Sequence, residues 1–115
     1  MILEAVTALP YYLVEVSYTV EAWKTLVKNP QNRLDAVSRA VEKVGGKFHG
    51  GWFAFGKYDV IIILEMPDNV AAAANSIAYA AGGACSAVRT TPLLTPEEAV
   101  KALKKAGETT YRPPA

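Results

Sequence analysis

The stretch Val60-Ile61-Ile62-Ile63-Leu64 is apolar at every position, yet it is headed by a polar knot, Gly56-Lys57-Tyr58-Asp59. Successive side chains leave a strand on opposite sides, so an unbroken apolar run describes a strand that needs cover on both faces. Parity sends Tyr58, Val60, Ile62, Leu64 and Met66 one way and Asp59, Ile61, Ile63 and Glu65 the other. The β-branched and aromatic stretch Tyr11–Thr19 divides alike, with Val14, Val16 and Tyr18 against Leu13, Glu15 and Ser17. One face is almost wholly aliphatic and suits a layer of two helices. The other is mixed, with Asp59, Glu65, Glu15, Ser17 and Trp52 among isoleucines. Soluble monomers rarely leave a large apolar patch open to water. A second copy placed sheet to sheet would bury it and enclose a partly polar cavity, so at least a homodimer is expected.

The remaining elements follow from local chemistry. Thr19 can cap a helix carrying Ala22, Trp23, Leu26 and Val27, which Asn29-Pro30 interrupts. Leu34, Val37, Val41 and Val44 recur on one helical face, and Gly45-Gly46 ends that second helix. Trp23 is expected in the core. Gly56-Lys57 is expected to form a two-residue hairpin turn, with positive φ at Gly56, pairing Phe55 with Tyr58, Phe53 with Val60 and His49 with Leu64. Asp68 can cap a helix through NVAAAANSIAYAA, whose alanines predict close approach to its neighbours before Gly82-Gly83 closes it. ACSAVRTT reads as a short fourth strand. Thr95-Pro96-Glu97-Glu98 is a capping-box start for a last helix with Val100 and Leu103 inward. The order β-α-β-β-α-β plus a terminal helix is the ferredoxin-like α+β arrangement, with the first and third strands central. Residues 1–10 form an N-terminal extension, 11–106 the domain and 107–115 a flexible tail.

Composition narrows the function classes. The 115 residues amount to one domain, and a formal net charge of +1 offers no footprint for nucleic acid or an anionic membrane. Glycine-rich GGWFAFG reads as a strand and not as a phosphate-cradling loop. The single cysteine, Cys85, excludes an intrachain disulfide, and its small apolar neighbours point to a packed thiol. No Cys/His cluster is present to hold a metal, and no cofactor is expected. No apolar run approaches the roughly 18 residues of a membrane span. The N-terminus MILEAVTALPYY lacks a basic leader, so the expected location is the cytoplasm.

The candidate functional residues are few. Asp59 either lines the mouth of the expected cavity or pairs with Arg89, which an antiparallel fourth strand brings to the same end of the sheet. Arg89, flanked by Thr90 and Thr91, could otherwise clamp a ligand carboxylate. Trp52, Ser17 and Glu15 belong to the same mixed face and complete the expected ligand-binding set. For catalysis the weak candidates are Asp59, His49 and Tyr58. His49 is the only histidine and would want a carboxylate such as Glu65, which lies on the opposite face unless a bulge at Gly50-Gly51 flips one of them. The alternative is an edge-strand histidine at the surface. Tyr58 and Asp59 leave the strand on opposite faces, which disfavours a shared site.

The segments LVEVSYT, EAWKTLVKNPQNR, GGK, FGKYD, PDNVAAAA and VRTTPLLTPEEA, in this order over residues 13–104, resemble the GYD-domain family of the dimeric α/β-barrel superfamily. Gly56, Tyr58 and Asp59 stand in the family's usual G-x-Y-D form, with Lys57 between. The resemblance implies the fold and dimerisation, and it implies no single activity. Relatives in the superfamily include isomerases, oxygenases, haem-degrading proteins and regulatory ligand-binding domains. The expected function is therefore a homo-oligomeric module that binds a small molecule between paired sheets. The alternatives are a cofactor-independent isomerase- or oxygenase-type enzyme, and an assembly or regulatory subunit without ligand.

Overall fold

Eight elements run in the order β1 (Tyr11–Tyr18), α1 (Val20–Lys28), α2 (Arg33–Lys43), β2 (Lys47–Phe53), β3 (Val60–Glu65), α3 (Asn69–Ala81), β4 (Cys85–Leu93) and α4 (Pro96–Ala106). The structure, a computed structural model, describes residues 9–115. Most of the expected N-terminal extension lies outside the described residues. The strands form one antiparallel sheet in the order β2-β3-β1-β4, with the two two-sided strands in the middle. This is the ferredoxin-like α+β fold.

Parity decides the core. Val14, Val16, Val60, Ile62, Leu64 and Met66 are buried beneath the helices together with Tyr12, Val41 and Ala72, whereas Leu13, Glu15, Ser17, Ile61, Ile63 and Glu65 are only half-buried. The helix ends obey their sequence signals. Thr19, Asn32, Asp68 and Thr95 each accept a hydrogen bond from a first-turn amide, and Thr95 and Glu98 complete a reciprocal capping box. Gly45 and Gly83 take positive φ past the ends of α2 and α3.

Several expectations are corrected. The β2–β3 hairpin does not turn on two residues, and Gly56 has no positive φ. Strand pairing stops at Phe53↔Val60, and a wider loop is closed by the Ala54 amide donating to the Asp59 carbonyl at 2.9 Å. Leu64 pairs with Phe48 rather than His49, because an extra residue bulges out of β2. β4 is long, not short, and tolerates Pro92 because it is an edge strand whose outer side needs no donor. Trp23 is not a core residue. It is 40% exposed and packs edge-on against Tyr18, ring centroids 5.2 Å apart. Val100 and Leu103 do not point inward. At 50% and 71% exposed, they leave the apolar stripe of α4 unpacked. The alanine-rich α3 does lie close to a neighbour, β4, while α2 lies along β2.

The acid at the head of β3 has a backbone role. β1 outruns β3 beyond Val16↔Val60, at the point where its pairing with β4 also slips between Ser17 and Tyr18. The Asp59 amide donates to the Val16 carbonyl at 2.8 Å, and its carboxylate Oδ2 accepts from the Tyr18 amide at 2.9 Å. The side chain thus continues the ladder where the main chain of β3 has turned away. Among the described residues it forms no salt bridge with Arg89, so of the two roles expected for Asp59 the ion pair is not the one present.

Two stability measurements test this account. Asp59→Ala leaves the part-buried Tyr18 amide without its acceptor and should cost about 1–3 kcal/mol in urea denaturation. Asp59→Asn keeps an acceptor oxygen there and should cost less than about 1 kcal/mol. Burial also raises the phenols of Tyr18 and Tyr79 above their ordinary 10.0 and the Cys85 thiol above 9.0. The folded chain keeps these protons where the unfolded chain has lost them. Stability from this source is intact below about pH 9 and falls as the pH rises through the folded values. Urea midpoints should therefore hold up to about pH 9 and drop above it, and a flat profile there would contradict the burial of these groups.

Candidate functional site on the open face of the sheet

Cross-strand pairing lays the face away from the helices out as three rows. Trp52, Ile61, Glu15 and Arg89 lie side by side across the four strands. The next row holds Gly50, Ile63, Leu13 and Thr91, and the one after it Lys47, Glu65, Tyr11 and Leu93. Directly paired residues have Cβ atoms about 5 Å apart, so neighbouring side chains along a row lie within reach of one another. The strips mix aliphatic and charged groups, and no helix of the described chain packs over them: α2 and α3 take the other face, and the stripe of α4 is bare.

His49 reaches this face through the bulge. Phe48 opposes Leu64 and Gly50 opposes Ile63, so His49 is the unpaired extra residue of β2. Its Nε2 lies 2.5 Å from Oε1 of Glu65, and its ring stands 5.1 Å from that of Tyr11. The two side chains are 30% and 14% exposed, so the contact sits at the surface without being fully solvated. A carboxylate held on one ring nitrogen orients the imidazole and leaves the other free to give or take a proton. The sequence allowed this pair only through a bulge, and the bulge is present one residue earlier than the glycine pair.

The other candidates divide. Arg89 and Glu15 are direct cross-strand neighbours, yet no salt bridge joins them, so both charged heads remain available for a ligand. Trp52 is 61% exposed, and its indole folds back over Gly50, where an added Cβ would stand 3.0 Å from Cη2. Ser17 donates to the Lys57 carbonyl at 3.1 Å and so serves the hairpin loop. Asp59 is held by the Tyr18 amide, and Tyr58 is half-buried in the same loop. Six residues of strand separate Asp59 from Glu65, roughly 20 Å at 3.3 Å per residue. The three catalytic candidates therefore do not form one site: His49 belongs to one end of the sheet, Asp59 and Tyr58 to the other. Tyr11 was not singled out in the sequence, although its parity with Leu13 and Glu15 already set it on this face.

Thiol chemistry is not favoured. Burial pushes the Cys85 thiol up, so at neutral pH it is the unreactive protonated form. No three His, Cys, Asp or Glu side chains gather as a metal cluster among the described residues. No described helix is long and apolar enough to cross a membrane.

The stacking of Trp52 on Gly50 can be checked directly. In a Trp23→Phe background, Gly50→Val should displace the indole into solvent and shift its emission to the red. The cost in stability should stay below about 1 kcal/mol, since β-branched residues suit strands. Unchanged emission would place the indole elsewhere.

Comparison with known proteins agrees with this fold. The GYD domain family description matches residues 12–103. No curated protein matches the chain. Among solved structures, the crystal structure of MtbAldR superposes with a TM-score of 0.56 at 13% identity, covering 83% of this chain. The match takes in 59% of MtbAldR, so the present chain corresponds to little more than half of that protein, and the likeness is one of fold. With the family pattern running through four-fifths of its length and the ferredoxin-like sheet in place, the chain belongs to the GYD-domain family.

Proposed function

We propose that this protein is a homo-oligomeric small-molecule-binding module whose subunits meet open face to open face. One observation carries the reading: Leu13, Ile61, Ile63 and Trp52 form an apolar strip, interrupted by the unpaired charges of Glu15 and Arg89, on a face that no described helix covers. Water is a poor neighbour for the strip, and a dry sheet-to-sheet contact is a poor neighbour for the charges. An enclosed cavity holding a polar small molecule satisfies both. Face-to-face sheets stand about 10 Å apart, which leaves room for such a molecule where side chains are small. Arg89 would take a ligand carboxylate, Glu15 a cationic or hydroxyl group, and Trp52 a planar one, with Ser17 and Asp59 at the rim. In this reading residues 11–106 form the working domain of a cytoplasmic protein, and the segments on either side of it lie outside the cavity.

A second reading has its own support. The His49–Glu65 pair beside Tyr11 is the arrangement a general base needs, and it favours a cofactor-independent enzyme built on the same paired sheets. An assembly subunit without ligand would instead fill the interface with Trp52 and the isoleucines.

Native mass spectrometry of freshly purified protein tests the leading reading. The expected spectrum is a dimer or higher oligomer carrying an additional small mass. Ile63→Asp, which puts a charge in the centre of the strip, should give folded monomers with wild-type circular dichroism. Arg89→Ala should keep the oligomer and lose the extra mass. Wild-type protein that is monomeric at micromolar concentration would end the proposal.

A further inference from the structure

The helix side of the sheet holds a second feature. A crevice of about 260 Å³ runs between α2 and α3 over the aliphatic floor. Ala36 and Ala40 of α2 and Ala78 of α3 line its sides, and Ile62 lines its floor. Small residues on both helices keep it open, where leucines would have closed it. An apolar cavity of about 150 Å³ already accommodates benzene, so the space is ample for one aromatic ring.

Polar groups line the same crevice. Tyr79 borders it, and its hydroxyl is buried with no hydrogen-bond partner among the described residues. Buried hydroxyls in folded proteins are almost always satisfied, so an orphan beside a cavity points to a missing acceptor. Burial holds the phenols of Tyr79 and Tyr18 in the protonated, donating form, while the Asn75 carboxamide works against that shift at Tyr79 without completing a hydrogen bond. Arg33, at the first position of α2, also lines the crevice and is exposed. Its charge is felt at the Tyr18 phenol, which it lowers against the effect of burial. Among the described residues Arg33 has no carboxylate partner, and its polar contact is a long one, 3.4 Å to the side-chain oxygen of Gln31. The carboxylate of Asp59, which the Tyr18 phenol also senses, is occupied by the Tyr18 amide.

We propose that this crevice is a ligand site for a small aromatic monocarboxylate. The ring lies against Ala36, Ala40 and Ala78. The carboxylate meets the Arg33 guanidinium, with the Tyr18 and Tyr79 hydroxyls as donors. The site is on the opposite side of the sheet from the cavity proposed above and does not depend on it. No covalent step is involved, because the Cys85 thiol beside the crevice stays protonated.

Titration of the full-length protein with benzoate, followed by amide NMR, tests the assignment. Saturable shifts are expected at Ala36, Ala40, Ala78 and Tyr79. Benzyl alcohol, which keeps the ring and lacks the charge, should bind about tenfold more weakly, and Arg33→Gln should weaken benzoate by a similar factor. Because Arg33 is exposed, that variant is expected to fold, and circular dichroism verifies it. Ala36→Leu fills the space and should abolish the shifts, whereas Arg89→Ala on the open face should leave them unchanged. The proposal is overturned by any of three results: no saturable shift up to roughly 10 mM, equal binding of benzoate and benzyl alcohol, or shifts confined to the open face.

Discussion

Everything in this fold depends on β3 being apolar on both sides. A central strand with one oily face could be finished by helices alone. Ile62, Leu64 and Val60 are finished in that way, beneath α2 and α3. Ile61 and Ile63 face the other way, half-buried among their strand neighbours, and no helix of the described chain lies over them. The helix layer and the open face therefore impose different demands. The first is met inside one chain, and the second is the physical reason to look beyond it.

Much of this was legible in the sequence because alternation is a strong signal. The parity of Val60–Leu64 and of Leu13–Ser17 assigns nearly every central-strand residue to its correct face, and the caps at Thr19, Asp68 and Thr95 mark where helices begin. What was not legible depends on events that alternation cannot record. A bulge inserts one residue and reverses the phase, and that is how His49 comes to face Glu65. The neighbouring glycines signalled that the strand was irregular without saying which residue would be expelled. The hairpin loop was misplaced for a related reason. Gly56 suited a tight turn, but Ala54 and Asp59 are joined by a main-chain hydrogen bond that leaves the residues between them in a wider loop.

Helix packing was the second limit. Amphipathic periodicity states which side of a helix is apolar, not whether anything lies against it. Val100 and Leu103 have the right spacing and remain exposed, and Trp23 sits at the margin on Tyr18. In α3 the alanines predict close approach to a neighbour, and the helix meets that along β4. Small side chains permit close approach but do not drive it, since each buries little apolar area. With α3 resting on β4 and α2 on β2, Ala78 of α3 faces Ala36 and Ala40 of α2 across a crevice between the helices.

The residues that name the family bear on how its chemistry is to be sought. Gly56, Tyr58 and Asp59 stand together at the head of β3, the natural place to suspect a site. Yet Asp59 spends its carboxylate on the Tyr18 amide, its amide on the Val16 carbonyl and its carbonyl on the Ala54 amide. All three groups join β1, β3 and the hairpin where the sheet would otherwise fray. An acid serves there because a carboxylate oxygen replaces the main-chain acceptor that β3 no longer presents. The groups left free of structural duty are elsewhere: Arg89 and Glu15 in the middle of the open face, and the His49–Glu65 pair at its far end. The signature thus marks how the sheet is closed, and chemistry is to be sought along the rows that this closure aligns.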